Sequence, residues 1–327
     1  MIKMRTFLEG LLISVVITAI VATSPRCGRD NYGDIDTLPR FTQHCWGPTW
    51  SPDGQTIAFG YVPWITVEGD TFVEKWDSSG VFLIDADGTN KRPFQMAGIA
   101  PFLSFPDFNP DGEWLVYIGG PGGVNNIYKA KINGDSITQL TFNNYWNRRP
   151  KWSPDGKKIL FGRTEAPSDS CGLCLMDADG LNNKVINREN SAEIGDFLPD
   201  YEIAFLGWVN NSAGIWITDT IGSNKIRIYE YGDHAGGISC SPDGSKILFC
   251  IDDTEKLRLE IWVIDVDGSN PKRLCIDGIE PCWSPDGTKI VYVKYNSTKQ
   301  AMTHPGYGEL WVMDADGSNQ RQLTFVD

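Results

Sequence analysis

The chain has 327 residues, 41% hydrophobic and 22% charged, a globular composition long enough to bury a large core. Its formal net charge of −13 repels phosphate backbones and anionic lipid, which argues against nucleic acid as a partner and suits a basic partner or a divalent cation. The 34 Gly, 19 Pro and 12 Trp speak for short strands joined by tight turns around aromatic cores.

Residues 1–22 read as a signal peptide or N-terminal anchor. Lys3 and Arg5 precede an apolar run over 11–22, which has signal-peptide length and is short for a spanning helix. Residues 23–40 form a polar linker, and membrane contact is expected only through this N-terminal segment. Eight Cys in an exported chain invite disulfides. Cys171 and Cys174 form a C-x-x-C with no second such pair to complete a zinc site. Cys174 occupies a strand place that Phe82, Trp262 and Trp311 take elsewhere, so it reads as a small buried hydrophobe.

From residue 41 to residue 327 the chain repeats. Asp53, Asp111, Asp155, Asp243 and Asp286 each close a Pro-Asp in front of Gly, and Asp200 in "FLPDYEIAF" marks a worn copy. The spacings are 58, 44, 45, 43 and 43, so six units of similar length follow one another. Each unit opens on an apolar residue before the turn: Trp50, Phe108, Trp152, Phe197, Cys240 or Trp283. The Ser-Pro-Asp-Gly turn sets a tight reversal, with Pro at a fixed φ and Gly free to take a positive one. An alternating strand follows, then a second strand ending in Asp-x-Asp-Gly, then a short "RQLTF"-type strand. Four antiparallel strands per unit, six times over, predict an all-β six-bladed β-propeller of four-stranded antiparallel blades. The Asp-x-Asp-Gly turns read as structural, since Phe325 stands where a calcium loop opening at Asp314 needs Glu. The last blade is expected to end on residues 321–325 as its outermost strand, with 37–42 lying elsewhere.

The W-SPDG-x-x-I-x-F … D-x-D-G-x-N … L-T pattern resembles the WD-like repeat of TolB-type six-bladed propellers over about residues 41–327. The resemblance implies a cell-envelope propeller that binds proteins or ligands. The family's namesake has an α/β domain ahead of its propeller for which the residues before the first repeat leave no room, so its particular role is not carried over.

Within a blade, the two repeated turns share one face, which reads as scaffold. The connections between second and third strands, and between blades, share the other, where loops carry function. The longest second-to-third connections are 63–79 in blade 1 and 296–308 in blade 6, ring neighbours if the propeller closes. Counting six residues back from the apolar residue of each unit gives His44, Phe102, Trp146, Ser191, His234 and Asp277. Four residues back stand Trp46, Ser104, Arg148, Glu193, Gly236 and Ile279. Trp46, Phe102, Trp146, Arg148, Arg149 and Glu193 form a candidate binding surface for a protein or carbohydrate partner on this face, since aromatics beside Arg suit a peptide, a sugar or an anion. His44, His234, Asp277 and His304 form a candidate site for Zn²⁺, Mn²⁺ or Fe²⁺; no other cofactor is expected. The chain has no G-x-S-x-G nucleophile elbow, "GISCS" at 237–241 being nearest. The expectation is an exported protein- or ligand-binding module without catalysis. The alternative is a metal-dependent polysaccharide lyase, because oligogalacturonate lyases resemble this chain in their SPDG-type repeats.

Overall fold

The computed structural model describes residues 43–67, 71–74, 79–94, 104–120, 125–143, 145–165, 170–188, 194–210, 212–231, 235–253, 258–294 and 308–325. The N-terminal segment, the linker and the strand-like 37–42 lie outside them, as do Phe102, Glu193, His234 and His304. No helix among the described residues is long and apolar enough to cross a membrane.

Six antiparallel sheets follow each other along the chain, at 43–93, 104–139, 146–187, 194–229, 235–276 and 278–322. Five have four strands in simple sequential order, and the first has an added strand. There the second strand, Thr56–Val67, outruns its neighbours and pairs with Thr71–Glu74, so the long connection of blade 1 begins as a hairpin. Arg321–Gln322 pairs with the third strand of blade 6, so among the described residues that blade is built from residues 278–322.

The turns form where the sequence places them. In blade 1 the Ser51 hydroxyl donates to Asp53 Oδ1 at 2.6 Å and accepts from Thr56 N at 2.9 Å, while Gly54 N donates to Ser51 O at 2.9 Å. Blades 3, 5 and 6 repeat this lock at Ser153, Ser241 and Ser284. In the Asp-x-Asp-Gly turns the carboxylates are bonded within the turn: Asn90 Nδ2 donates to Asp85 Oδ2 at 2.7 Å and Thr89 N to Asp87 Oδ1 at 2.9 Å. Their hydrogen bonds hold Asp85 and Asp87 below the usual carboxylate range, and the same local chemistry acts on Asp265 and Asp314. Blade 4 departs from the pattern, with Tyr201 at φ 71° where the other five blades have Gly.

Each blade leans on the one before it. Trp152 packs with Val116, Ile127 and Leu140 of blade 2, and Phe197 with Leu160, Leu173 and Ile186 of blade 3. Trp283 packs with Leu248, Val263 and Leu274 of blade 5. Trp50 does the same to Val291, Val312 and Leu323 of blade 6, which closes the ring. Cys45 N donates to Gly308 O across that closing seam at 3.1 Å, and Arg321 of blade 6 reaches the carbonyls of Ala86 and Asp87. Gly222 shows how tight the contacts are: a Cβ there would meet the Ile186 carbonyl of blade 3 at 2.0 Å.

Candidate functional site

The innermost strands Gln43–Trp50, Ser104–Phe108, Trp146–Trp152, Ile194–Phe197, Ala235–Cys240 and Gly278–Trp283 line the axis. Five of them carry a register shift two to three residues before the terminal Trp, Phe or Cys; that of blade 4 is regular. The bulge puts Gly47, Phe105, Arg149, Gly237 and Glu280 at positive φ. Such a bulge inserts one residue, bends the strand and re-aims the side chains around it.

Those residues converge on one cavity of about 40 Å³, lined by all six innermost strands. Arg149 of blade 3 and Glu280 of blade 6 meet in an ion pair at 2.6 Å, bridging blades on opposite sides of the ring. Gly47 N of blade 1 donates to the other Glu280 oxygen, and the Arg149 guanidinium lies over the Phe105 ring at 4.6 Å. Prolines at 48, 106, 150 and 281, with Ile194, Ile238 and Cys282, make the rest of the wall largely apolar.

The residue just before each terminal aromatic or Cys forms a second ring: Thr49, Asp107, Lys151, Asp196, Ser239 and Cys282. These side chains stitch neighbouring blades. Asp107 accepts from Thr49 Oγ1 at 3.2 Å, Lys151 Nζ at 3.0 Å and Trp152 N at 2.8 Å. Asp196 accepts from Cys240 N at 2.9 Å, and Ser239 Oγ from Trp283 N at 3.3 Å. The seam from blade 3 to blade 4 differs for a chemical reason. Lys151 has no acceptor to offer, and Phe197 N is bonded by its own neighbour Asp196 at 2.9 Å.

Charge is concentrated here. Burial works against the ammonium of Lys151, yet the adjoining Asp107 carboxylate raises it above its ordinary value. Loss of solvent pushes Asp196 up to about 6, only partly offset by Lys151 and by backbone donors. Burial likewise raises the thiols of Cys240 and Cys282.

Of the residues singled out from sequence, Arg149 lines the axial cavity. Trp46 folds back on its own blade, its indole filling the place where a Cβ on Gly60 would stand. Arg148 lies against the Trp146 ring at 5.8 Å and pairs in register with Gly162. Asp277, at φ 60°, binds Leu259 O through its N–H at 2.7 Å. His44 lies on the innermost strand of blade 1, with its side chain outside the described residues. Among the described residues no three His, Cys, Asp or Glu stand together as metal ligands. Glu280, Asp107, Lys151 and Asp196 escaped the sequence reading. The x-Pro-x-Trp pattern at Pro48, Pro150 and Pro281, with Pro106 before Phe108, was the available signal, since Pro within a strand marks an edge or a bulge.

An uncharacterized protein of Agrobacterium fabrum is 28% identical over 273 residues, covering 76% of this chain and 84% of that protein. The solved structure of TolB from Acinetobacter baumannii superposes with a TM-score of 0.63 at 16% identity, covering 81% of this chain and 76% of that one. An oligogalacturonate lyase in complex with manganese superposes with a TM-score of 0.56 at 15% identity, covering 90% and 83%. Both structural likenesses concern the fold alone. The family model described as the TolB beta propeller domain matches residues 31–170 and 163–327. Six blades closed by repeated Pro-Asp turns, and a match that spans all of them, mean that the chain belongs to the TolB β-propeller family.

Proposed function

We propose that this protein is an exported binding module of the cell envelope, that a protein or other ligand engages its axial cavity, and that it is not an enzyme. The observation that carries the reading is convergence. Bulges in five innermost strands turn residues from separate blades onto one axis, where Arg149 and Glu280 meet. Family membership supports the envelope setting, and Lys3, Arg5 and the apolar run 11–22 support export. The partner approaches from the face of the longer connections, where blade 1 extends its second strand and the innermost strands of blades 1 and 3 carry Trp46, Trp146 and Arg148.

The test is capture from cell-envelope extract by the tagged full-length chain and by its Arg149→Glu variant. A partner held by the first and lost by the second, with both chains showing the native β spectrum by circular dichroism, is expected. Equal capture by both refutes the axial site. Recovery of the uncleaved chain in soluble cytosol refutes export. Release of unsaturated product from polygalacturonate with added Mn²⁺ overturns the non-enzymatic reading.

A further inference from the structure

We infer that the axial cavity is a receptor for a carboxylate group, gripped by Arg149 and Lys151; the inference rests on the axial cavity being the binding site. It comes from a census of donors and acceptors. Glu280 gives one oxygen to Arg149 and the other to Gly47 N–H. Asp107 accepts three hydrogen bonds, and Asp196 accepts from the N–H groups of Phe197 and Cys240. The acids around the cavity are thus occupied. The bases keep capacity: Nη2 of Arg149 bonds Glu280 and Nζ of Lys151 bonds Asp107, while a guanidinium has about five N–H donors and an ammonium about three. Exposure points the same way. The side chains of Arg149 and Lys151 keep 25% and 20% of their surface, against 7% for Glu280 and 11% for Asp107. The cavity therefore offers an incoming group cationic N–H donors, framed by Phe105, Ile194 and Ile238. Its volume of about 40 Å³ admits a few water-sized groups, enough for a carboxylate and the carbon that bears it.

The charge balance gives the site a signature. Arg149 of blade 3 pairs with Glu280 of blade 6, while Lys151 of blade 3 faces Asp107 of blade 2, Asp196 of blade 4 and the neutral thiols of Cys240 and Cys282. With every acid ionised the set already has one negative charge too many, so a ligand carboxylate is accommodated by a proton taken up on Asp196. Affinity then rises as the pH falls through about 6, while the ligand itself stays ionised.

A carboxylate comes from a peptide C-terminus or from a uronic acid. The experiment titrates the full-length chain with N-acetylalanine, galacturonic acid and the uncharged N-acetylalaninamide, followed by NMR at about pH 7.5 and about pH 5.5. At least one acid binds, the amide does not, and affinity gains about tenfold at the lower pH. Asp196→Asn keeps binding but loses the pH gain, and Arg149→Gln loses binding while circular dichroism shows the native fold, at a melting temperature lowered by the uncompensated Glu280. Tighter N-acetylalanine identifies a peptide terminus, and tighter galacturonate an acidic polysaccharide. Binding of the amide as tightly as the acid, silence from both acids, or the same pH response in Asp196→Asn overturns the proposal. If envelope capture still depends on Arg149 while both acids are silent, the carboxylate falls and the axial site stands; if capture is independent of Arg149, the axial site itself falls.

Discussion

Replacing Asp196 by Asn gives a stability effect whose sign and pH window follow from the structure. The carboxyl sits at about 6 in the folded chain against an ordinary 3.8, because the fold strips it of water. The folded state therefore holds a proton that the unfolded state has released between those two values. Stability from this group is fully present below 3.8 and is lost as pH rises through about 6. Above about 6 the penalty is about 1.4 kcal/mol for each pH unit separating the two values, or about 3 kcal/mol in all, reduced to about 2 kcal/mol because Asp196 is only half-buried. Asn keeps one acceptor oxygen for Cys240 N and gives up the bond from Phe197 N, a loss of about 1 kcal/mol. The variant is thus expected to be more stable than wild type by about 1 kcal/mol at neutral pH and less stable by about 1 kcal/mol near pH 4. Urea unfolding of both chains at steps of pH measures this, and the difference between them cancels the many turn aspartates common to both. A difference that stays constant across that range, or one with wild type gaining stability as pH rises, refutes the reasoning.

Three further outcomes are expected. Trp50→Ala should cost about 3–5 kcal/mol, since the ring is 7% exposed and packs on the closing blade; a loss below about 1 kcal/mol in urea unfolding would show that the seam does not depend on it. Deleting 319–327 removes the outermost strand of blade 6, the buried Leu323 and the Thr324 hydroxyl that accepts from Leu310 N, so gross destabilisation follows; an unchanged melting temperature would count against the strand assignment. Tyr201→Gly relieves a left-handed backbone at φ 71° and should stabilise by about 1 kcal/mol, checked by a rise rather than a fall in melting temperature.

The blade architecture was legible because turn chemistry is local. Ser51, Pro52, Asp53 and Gly54 form their lock from their own side chains and backbone, so the motif announces the turn wherever it occurs. Even the eroded blade 4 was found by spacing alone, from Pro199 and Asp200. The axial site was hidden for an equally physical reason. Counting by twos from Trp152 assumes unbroken alternation, and one inserted residue shifts everything beyond it to another face. The bulged positions hold Gly47, Phe105, Arg149, Gly237 and Glu280, two Gly and three unrelated side chains, so residue type alone does not mark them. Arg149 was named for its aromatic neighbourhood; its counter-ion lies 131 residues away, and no local pattern joins the two.

The closing seam gives the ring a mechanical character. Among the described residues every blade is one stretch of chain in sequence order, so five seams are crossed by a peptide connection and the sixth, between blades 6 and 1, is held by side-chain and backbone contacts. The disc is a split washer. A load pulling the two ends apart meets that seam first, and what resists is Trp50 in its pocket, Cys45 N on Gly308 O and the Arg321 clasp on Ala86 and Asp87. Once the split gives way, the terminal blades peel inward one at a time, each yielding the length of a single repeat. Force–extension traces should therefore show a first yield that Trp50→Ala lowers, followed by a train of similar steps, whereas a ring with an interlocked last blade would rupture in one event.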